Sequence, residues 1–226
     1  MNDYENIVLS NLDSYLDNYE SVFRWSHRSL DLNTERYIKN IAFFGCSLTY
    51  GHGVSNEYTY PFQVQRLSDN KWNCLNFGVP AGSIDLACIL YQKVVKEVDI
   101  DCVVIQWPNF YRRMYFEEGK YIGYHPTLDH NVSKSFGKVS DLQYCIVRNI
   151  PNLQIINSFK KVYNLLPKIG HKRKDLFKKY GIDNILDFHW YYDMDKKYIL
   201  ENDNHPNELW YEQYAKYLYK ELINVI

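Results

Sequence analysis

Two residues far apart in this chain carry the chemistry of a nucleophile and its base. Ser47 follows an apolar run, Ile41 to Phe44, that stops at Gly45-Cys46-Ser47, with Gly51 and Gly53 close behind. The pattern predicts a buried strand ending in a tight turn. A hydroxyl just past such a strand, at the carboxyl edge of an open α/β sheet, stands where ligands bind. His205 lies in Asn202-Asp203-Asn204-His205-Pro206-Asn207, just ahead of an amphipathic C-terminal stretch. A histidine before a proline and among Asx residues is held in an extended loop rather than on a helical face. There its imidazole is available as a base, and a serine hydroxyl becomes a good nucleophile only when such a base takes its proton. Each residue also has a plainer reading, Ser47 as a turn residue capping the next helix and His205 as a solvated loop side chain. Cys46 alternates with Ser47 toward the sheet side and reads as a buried thiol rather than as the nucleophile.

The elements that must position this pair follow from periodicity. The strand Ile38 to Phe44 precedes the serine turn, and Tyr60 to Leu67 reads as a short helix with Pro61 in its first turn. A second strand, Trp72 to Phe77, ends in Gly78-Val79-Pro80-Ala81-Gly82-Ser83. Ser83 is an N-cap candidate for a helix whose stripe is Leu86, Ile89, Leu90, Val94 and Val95. Asp101 to Gln106 is a continuous apolar strand of the kind buried on both faces. Strands alternating with helices are the mark of βαβ units, and the fold class is therefore α/β, three-layered, with a parallel sheet. Residues 107–137 match neither period and read as an aromatic-rich insertion, a long functional loop or small subdomain at the crevice side. Helices are expected from about Asp141 through Asn149 and from Asn152 to Leu166, interrupted by Pro151. A further strand is expected within Ile182 to Trp190, and a helix over Asn207 to Ile226 packs on the sheet. Residues 1–35 read as a helical lead-in to a domain spanning 36–226.

Composition excludes several classes. With 226 residues the chain can bury a core without staples. Its five cysteines are odd in number and sit mostly in apolar contexts, which predicts free thiols in a reducing compartment. No Cys/His spacing suits zinc, so no metal is expected. A net charge of -1 argues against nucleic-acid binding. The basic run His171-Lys172-Arg173-Lys174 reads as a solvated face. An acidic N-terminus without a long apolar run leads to the expectation of a cytoplasmic protein that does not enter membranes, and the Asn131-Val132-Ser133 sequon has no secretion signal to support it. The 22 tyrosines read as a composition bias, with a glycan groove as the alternative.

Four blocks, Gly45-Cys46-Ser47-Leu48-Thr49-Tyr50-Gly51, Asn76-Phe77-Gly78-Val79-Pro80-Ala81-Gly82-Ser83, Val103 to Asn109, and Asp203-Asn204-His205-Pro206, occur in this order. They resemble the blocks of SGNH (GDSL-like) hydrolases over residues 38–226. The resemblance implies a flavodoxin-like α/β/α sandwich and a cofactor-free ester hydrolase. In such an enzyme Ser47 would be the nucleophile and His205 the general base, with an oxyanion hole from the Ser47 amide, Gly78 and Asn109. The sequence departs from the family pattern in three places. Cys46 replaces the acid of Gly-Asp-Ser, Trp107-Pro108-Asn109-Phe110 replaces Gly-x-Asn-Asp, and the acid expected three residues before the histidine is Asn202. Asp203 stands two before it and is the stronger candidate to orient the imidazole, Asn202 being the alternative. His52, Trp107 and Arg112 are candidate substrate-lining residues, with a surface histidine and surface ion pairs as the plainer readings of His52 and Arg112.

The expected activity is hydrolysis of a short, acetyl-like ester on a carbohydrate or another small acceptor. A non-catalytic glycan-binding or assembly domain and an acyltransferase are the alternatives. The expected partner is a small-molecule or glycan ester substrate, with neither nucleic acid nor membrane, and oligomeric state is not legible in the sequence.

Overall fold

The computed structural model describes residues 34–80, 82–110, 112–117, 120–124, 142–159, 161–166, 174–186, 196–201 and 205–226. The expected helical lead-in up to residue 33, the basic run at 171–173, the Asn131 sequon, and Asn202 and Asp203 lie outside them.

Apolar runs bounded by turn residues become the strands β1 (Lys39–Gly45), β2 (Trp72–Gly78), β3 (Cys102–Gln106) and β6 (Val162–Leu165). They form one parallel sheet in the order β2-β1-β3-β6. The register sets Gly45 beside Gly78 and Phe44 beside Ile105, so β1 and its neighbours end level with one another. That shared carboxyl edge is the crevice side of such a sheet.

Both faces are covered, and the two-residue period of β1 shows how. Ala42 and Phe44 join Leu75, Phe77, Val103 and Ile105 in a core beneath α3 (Ile84–Glu97) and α4 (Leu142–Asn157). Ile41 and Phe43 point the other way, into a core with Cys74, Val104 and Leu165 under α2 (Tyr60–Leu67) and α6 (Glu208–Ile223). The second core is strongly aromatic, with Trp210 stacked on Tyr214 and Tyr214 meeting Tyr60 edge-on. The expected three-layer α/β/α arrangement is present.

Local signals set the helix starts. The Ser83 hydroxyl accepts the Leu86 amide at 3.2 Å and caps α3. Asn207 does the same for α6 through the Trp210 amide. Pro61 falls in the first turn of α2, where its missing N–H is harmless.

Beyond β3, the stretch at 107–137 expected to be a long loop or small subdomain contains an antiparallel hairpin, β4 (Arg113–Glu117) and β5 (Lys120–Tyr124). One expectation after it fails. Pro151 does not divide two helices, because α4 runs through it. The expected second helix ends at Asn157, and residues 162–165 form β6. Of the strand expected within Ile182 to Trp190 there is one parallel bridge, Asn164 with Ile185, and residues 187–190 lie outside the described ones. A short helix, α5 (Lys174–Lys179), buries Leu176 and Phe177 in the first core.

Candidate active site

Immediately after β1 the chain turns into a one-turn helix, α1 (Ser47–Tyr50), with Ser47 as its first residue. First-turn amides have no acceptor inside a helix, so the Ser47 N–H is not used within α1. The serine is 7% exposed.

Three polar side chains buried in apolar surroundings hold α1 in place. Thr49 donates through Oγ1 to Gln106 Oε1 at 3.1 Å, and the same oxygen meets the Tyr60 hydroxyl at 2.9 Å. With the threonine proton committed to Gln106, Tyr60 is the donor in the second bond. Burial pushes the Tyr60 phenol far above its ordinary range, with the Thr49 bond pulling back, so it stays protonated. From the other side, Asn76 Nδ2 donates to the Thr49 carbonyl at 2.8 Å. Sheet strand β3, helix α2 and strand β2 thus each grip the turn that carries Ser47.

His205 reaches the serine from the far end of the chain. Its Nε2 lies 2.9 Å from Ser47 Oγ. The loop bearing it is a narrow antiparallel crossing. Ile199 bridges Pro206, the Leu200 amide donates to the His205 carbonyl at 3.0 Å, and the Asn207 amide donates to Tyr198 at 2.9 Å. The expected extended setting of His205 is what these bonds produce.

His52 is brought to the same place. Its ring lies 4.5 Å from that of His205, tilted by 44°. Gly51 and Gly53 on either side both have φ +82, the left-handed conformation that glycine adopts without strain. The absent side chain of Gly53 also makes room for Leu200, whose Cδ1 a Cβ would strike. The serine loop and the histidine loop are therefore packed on each other as well as hydrogen-bonded.

Gly78 does not serve as expected. Its amide is donated to Asn76 Oδ1 at 3.0 Å, so it is not aimed at a substrate oxygen. What the glycine supplies is closeness, since a Cβ there would collide with the backbone nitrogen of Tyr50 in α1. Trp107 is also displaced from its expected role. It is 2% exposed, and its indole N–H donates to Asn164 Oδ1 at 2.9 Å. Asn164 is itself tied to Asn157 and to the Asp183 carbonyl. The tryptophan anchors the loop after β3.

The same loop is pinned again by Phe110, fully buried against Phe177 at 5.5 Å, with its carbonyl bonded by Asn149 Nδ2. Between the two anchors Asn109 stays exposed, and its carbonyl accepts the Arg112 amide at 3.0 Å in a closed turn. Cys46 is 6% exposed and unoxidised, as expected of a buried thiol. Among the described residues no cluster of histidine, cysteine and acids could hold a metal ion, and no helix is long and apolar enough to cross a membrane.

Thr49, Asn76 and Gln106 were missed as parts of the site. Their signal is a polar residue inside or ending an otherwise apolar strand, or following Ser47 by two.

No family model matches the chain, and no curated protein does. Solved structures share its fold at low identity. A lipase/acylhydrolase from Enterococcus faecalis aligns with TM-score 0.54 and 17% identity over 82% of this chain and 95% of its own. A member of the lipolytic G-D-S-L family from Veillonella parvula gives 0.52 and 13%, over 83% and 99%. A carbohydrate acetylesterase family member from Sinorhizobium meliloti gives 0.51 and 10%, over 82% and 97%. The chain has the fold of these proteins.

Proposed function

We propose that the chain is a serine esterase of the SGNH type that removes a short acyl group, acetyl-like in size, from a small or carbohydrate acceptor. The observation that carries this reading is the 2.9 Å approach of His205 Nε2 to Ser47 Oγ across a shared sheet edge. A fold in common with lipolytic proteins and a carbohydrate acetylesterase is consistent with it.

In this mechanism His205 Nε2 accepts the Ser47 proton as Oγ attacks the ester carbonyl. The tetrahedral oxyanion is met by the Ser47 amide at the start of α1 and by the Asn109 side chain. Each such donor is worth on the order of 100- to 1000-fold in rate. The imidazolium returns its proton to the departing alcohol. A water molecule then loses a proton to the same nitrogen, attacks the acyl-serine, and releases the acid with Oγ reprotonated. Asp203 is proposed to hold the far side of the imidazole and stabilise its charged form, and His52 to border the acyl pocket.

The test is labelling by a fluorophosphonate together with hydrolysis of p-nitrophenyl acetate. Both should require Ser47, and labelling that persists in Ser47→Ala would reject the assignment. Asp203→Ala should lower kcat more than Asn202→Ala, and equal losses would remove Asp203 from its role.

A further inference from the structure

Three main-chain contacts hold the loop that carries His205. Its carbonyl accepts the Leu200 amide, Pro206 bridges Ile199, and the Asn207 amide donates to the Tyr198 carbonyl. They fix where the backbone of His205 lies and leave its ring to turn, because a histidine rotates about two side-chain torsions and the outer one is broad. The direction of the imidazole is therefore set by what touches the ring. Ser47 Oγ lies 2.9 Å from Nε2, and the His52 ring lies against the imidazole with centroids 4.5 Å apart and planes tilted by 44°.

His52 is tied to the residue that His205 must reach. Its amide donates to the Ser47 carbonyl at 2.9 Å, at the closing end of α1. Two residues on, Val54 is buried in the aromatic core, so the half-buried His52 sits in a short bend anchored on both sides. Ser47, His52 and His205 thus form a closed set. The hydroxyl meets the imidazole, the imidazole meets the second ring, and the backbone of that ring returns to the serine. An imidazole swinging toward His52 presses on a group that cannot yield without pulling on the Ser47 carbonyl.

We propose that His52 is a positioning residue for the general base, its ring being the stop that keeps the His205 imidazole turned with Nε2 on Ser47 Oγ. The inference rests on the esterase reading for the reaction, and it deepens that reading by giving His52 a part in turnover beyond bordering the pocket. The proton passes between Oγ and Nε2 alone, and the His52 ring takes none of it. Contact between two rings restrains orientation through shape, and orientation matters because a misplacement of about 1 Å costs on the order of 100-fold in rate.

The test compares p-nitrophenyl acetate and p-nitrophenyl butyrate in the wild type, His52→Ala and His52→Phe. His52→Ala should lose about 10- to 100-fold in kcat on both esters with KM little changed. His52→Phe, which restores a ring without its nitrogens, should recover the greater part. A loss that falls on KM and differs between acetate and butyrate would make His52 a pocket wall alone and overturn the proposal, as would a His52→Phe variant no faster than His52→Ala. A second measurement needs no substrate. Nitrogen NMR signals of the His205 ring, assigned by their absence in His205→Gln, report which nitrogen carries the proton of the neutral ring. The wild type should show it on Nδ1, with Nε2 facing the serine. His52→Ala should show a mixture of the two forms and His52→Phe a return, whereas an unchanged pattern in His52→Ala overturns the proposal. Ring signals that respond in this way, in a protein that hydrolyses neither ester, uphold the positioning contact and reject the esterase reading instead.

Discussion

Replacing Ser47 by alanine deletes the hydroxyl that His205 Nε2 meets at 2.9 Å, and the loss in kcat for an activated ester should be at least about a thousandfold. His205→Ala should cost a similar factor and the double variant little more, because the two act on one proton. Gly78 gives a sharper trial of the geometry. A methyl at this position must push α1 away from β2, since it meets the Tyr50 nitrogen. Gly78→Ala should therefore lose on the order of 100-fold in kcat/KM although every chemical group remains. Activity in Gly78→Ala equal to the wild type would show that α1 is not held where it lies by this contact. The meeting of Ser47 with His205 was readable in the sequence because each stood in a telling turn, and the roles proposed for them go with few residue types. The Gly78 amide was misread, because its partner, the Asn76 side chain two residues earlier, is a contact that only folding reveals.

Among the elements, α1 is a single turn braced from three sides. Thr49 is fully buried and bonds Gln106, Tyr60 and, through its carbonyl, Asn76. Thr49→Val keeps the volume and strands the Tyr60 hydroxyl and the Gln106 amide in the interior. A destabilisation of about 1 to 3 kcal/mol is expected in urea unfolding, along with reduced turnover. An unchanged urea midpoint would mean that the network contributes nothing. The long strands and α3 were legible because their apolar runs, glycine turns and Ser83 cap all agree. The stretch after β3 was not. Leu153, Ile156, Phe159 and Val162 continue at near-helical spacing, which hides the four-residue β6. Pro151 removes one donor from α4 but does not end it. The hairpin had a visible cue in Glu118-Gly119 between two short aromatic runs, outweighed by the charges around it.

For the whole molecule, the two cores differ in what they bury, and stability should follow the aromatic one closely. Trp210 is fully buried beneath the sheet and stacked on Tyr214. Trp210→Ala should lower stability by about 3 to 5 kcal/mol, read from the denaturation midpoint. Cys102 in the same core has its thiol pushed up to about 12, chiefly by burial, with the Asp101 charge adding to the rise and Lys161 and Lys39 opposing it. A raised folded value means that the folded state holds its proton when the unfolded state, with an ordinary thiol near 9.0, has lost it. Stability is therefore intact below that value and falls as pH rises toward about 12. Cys102→Ala should flatten that alkaline decline in the urea midpoint after its own cavity cost is subtracted, and an unchanged slope would contradict the assignment. The layered architecture was readable at this scale because it depends on alternation alone.

The crossing of Leu200 with His205, docked on Gly53, ties together loops that belong to opposite ends of the fold. The serine end of this crossing is built from β1, β2, β3 and α2, all of them early in the chain. The histidine end comes only with the segment that seats α6. A state with the sheet formed and α6 undocked would have its hydroxyl in place but no imidazole beside it, and would be inert. Recovery of activity after dilution from urea should trail the recovery of sheet signal and coincide with burial of Trp210, which makes competence a report on completion rather than on collapse.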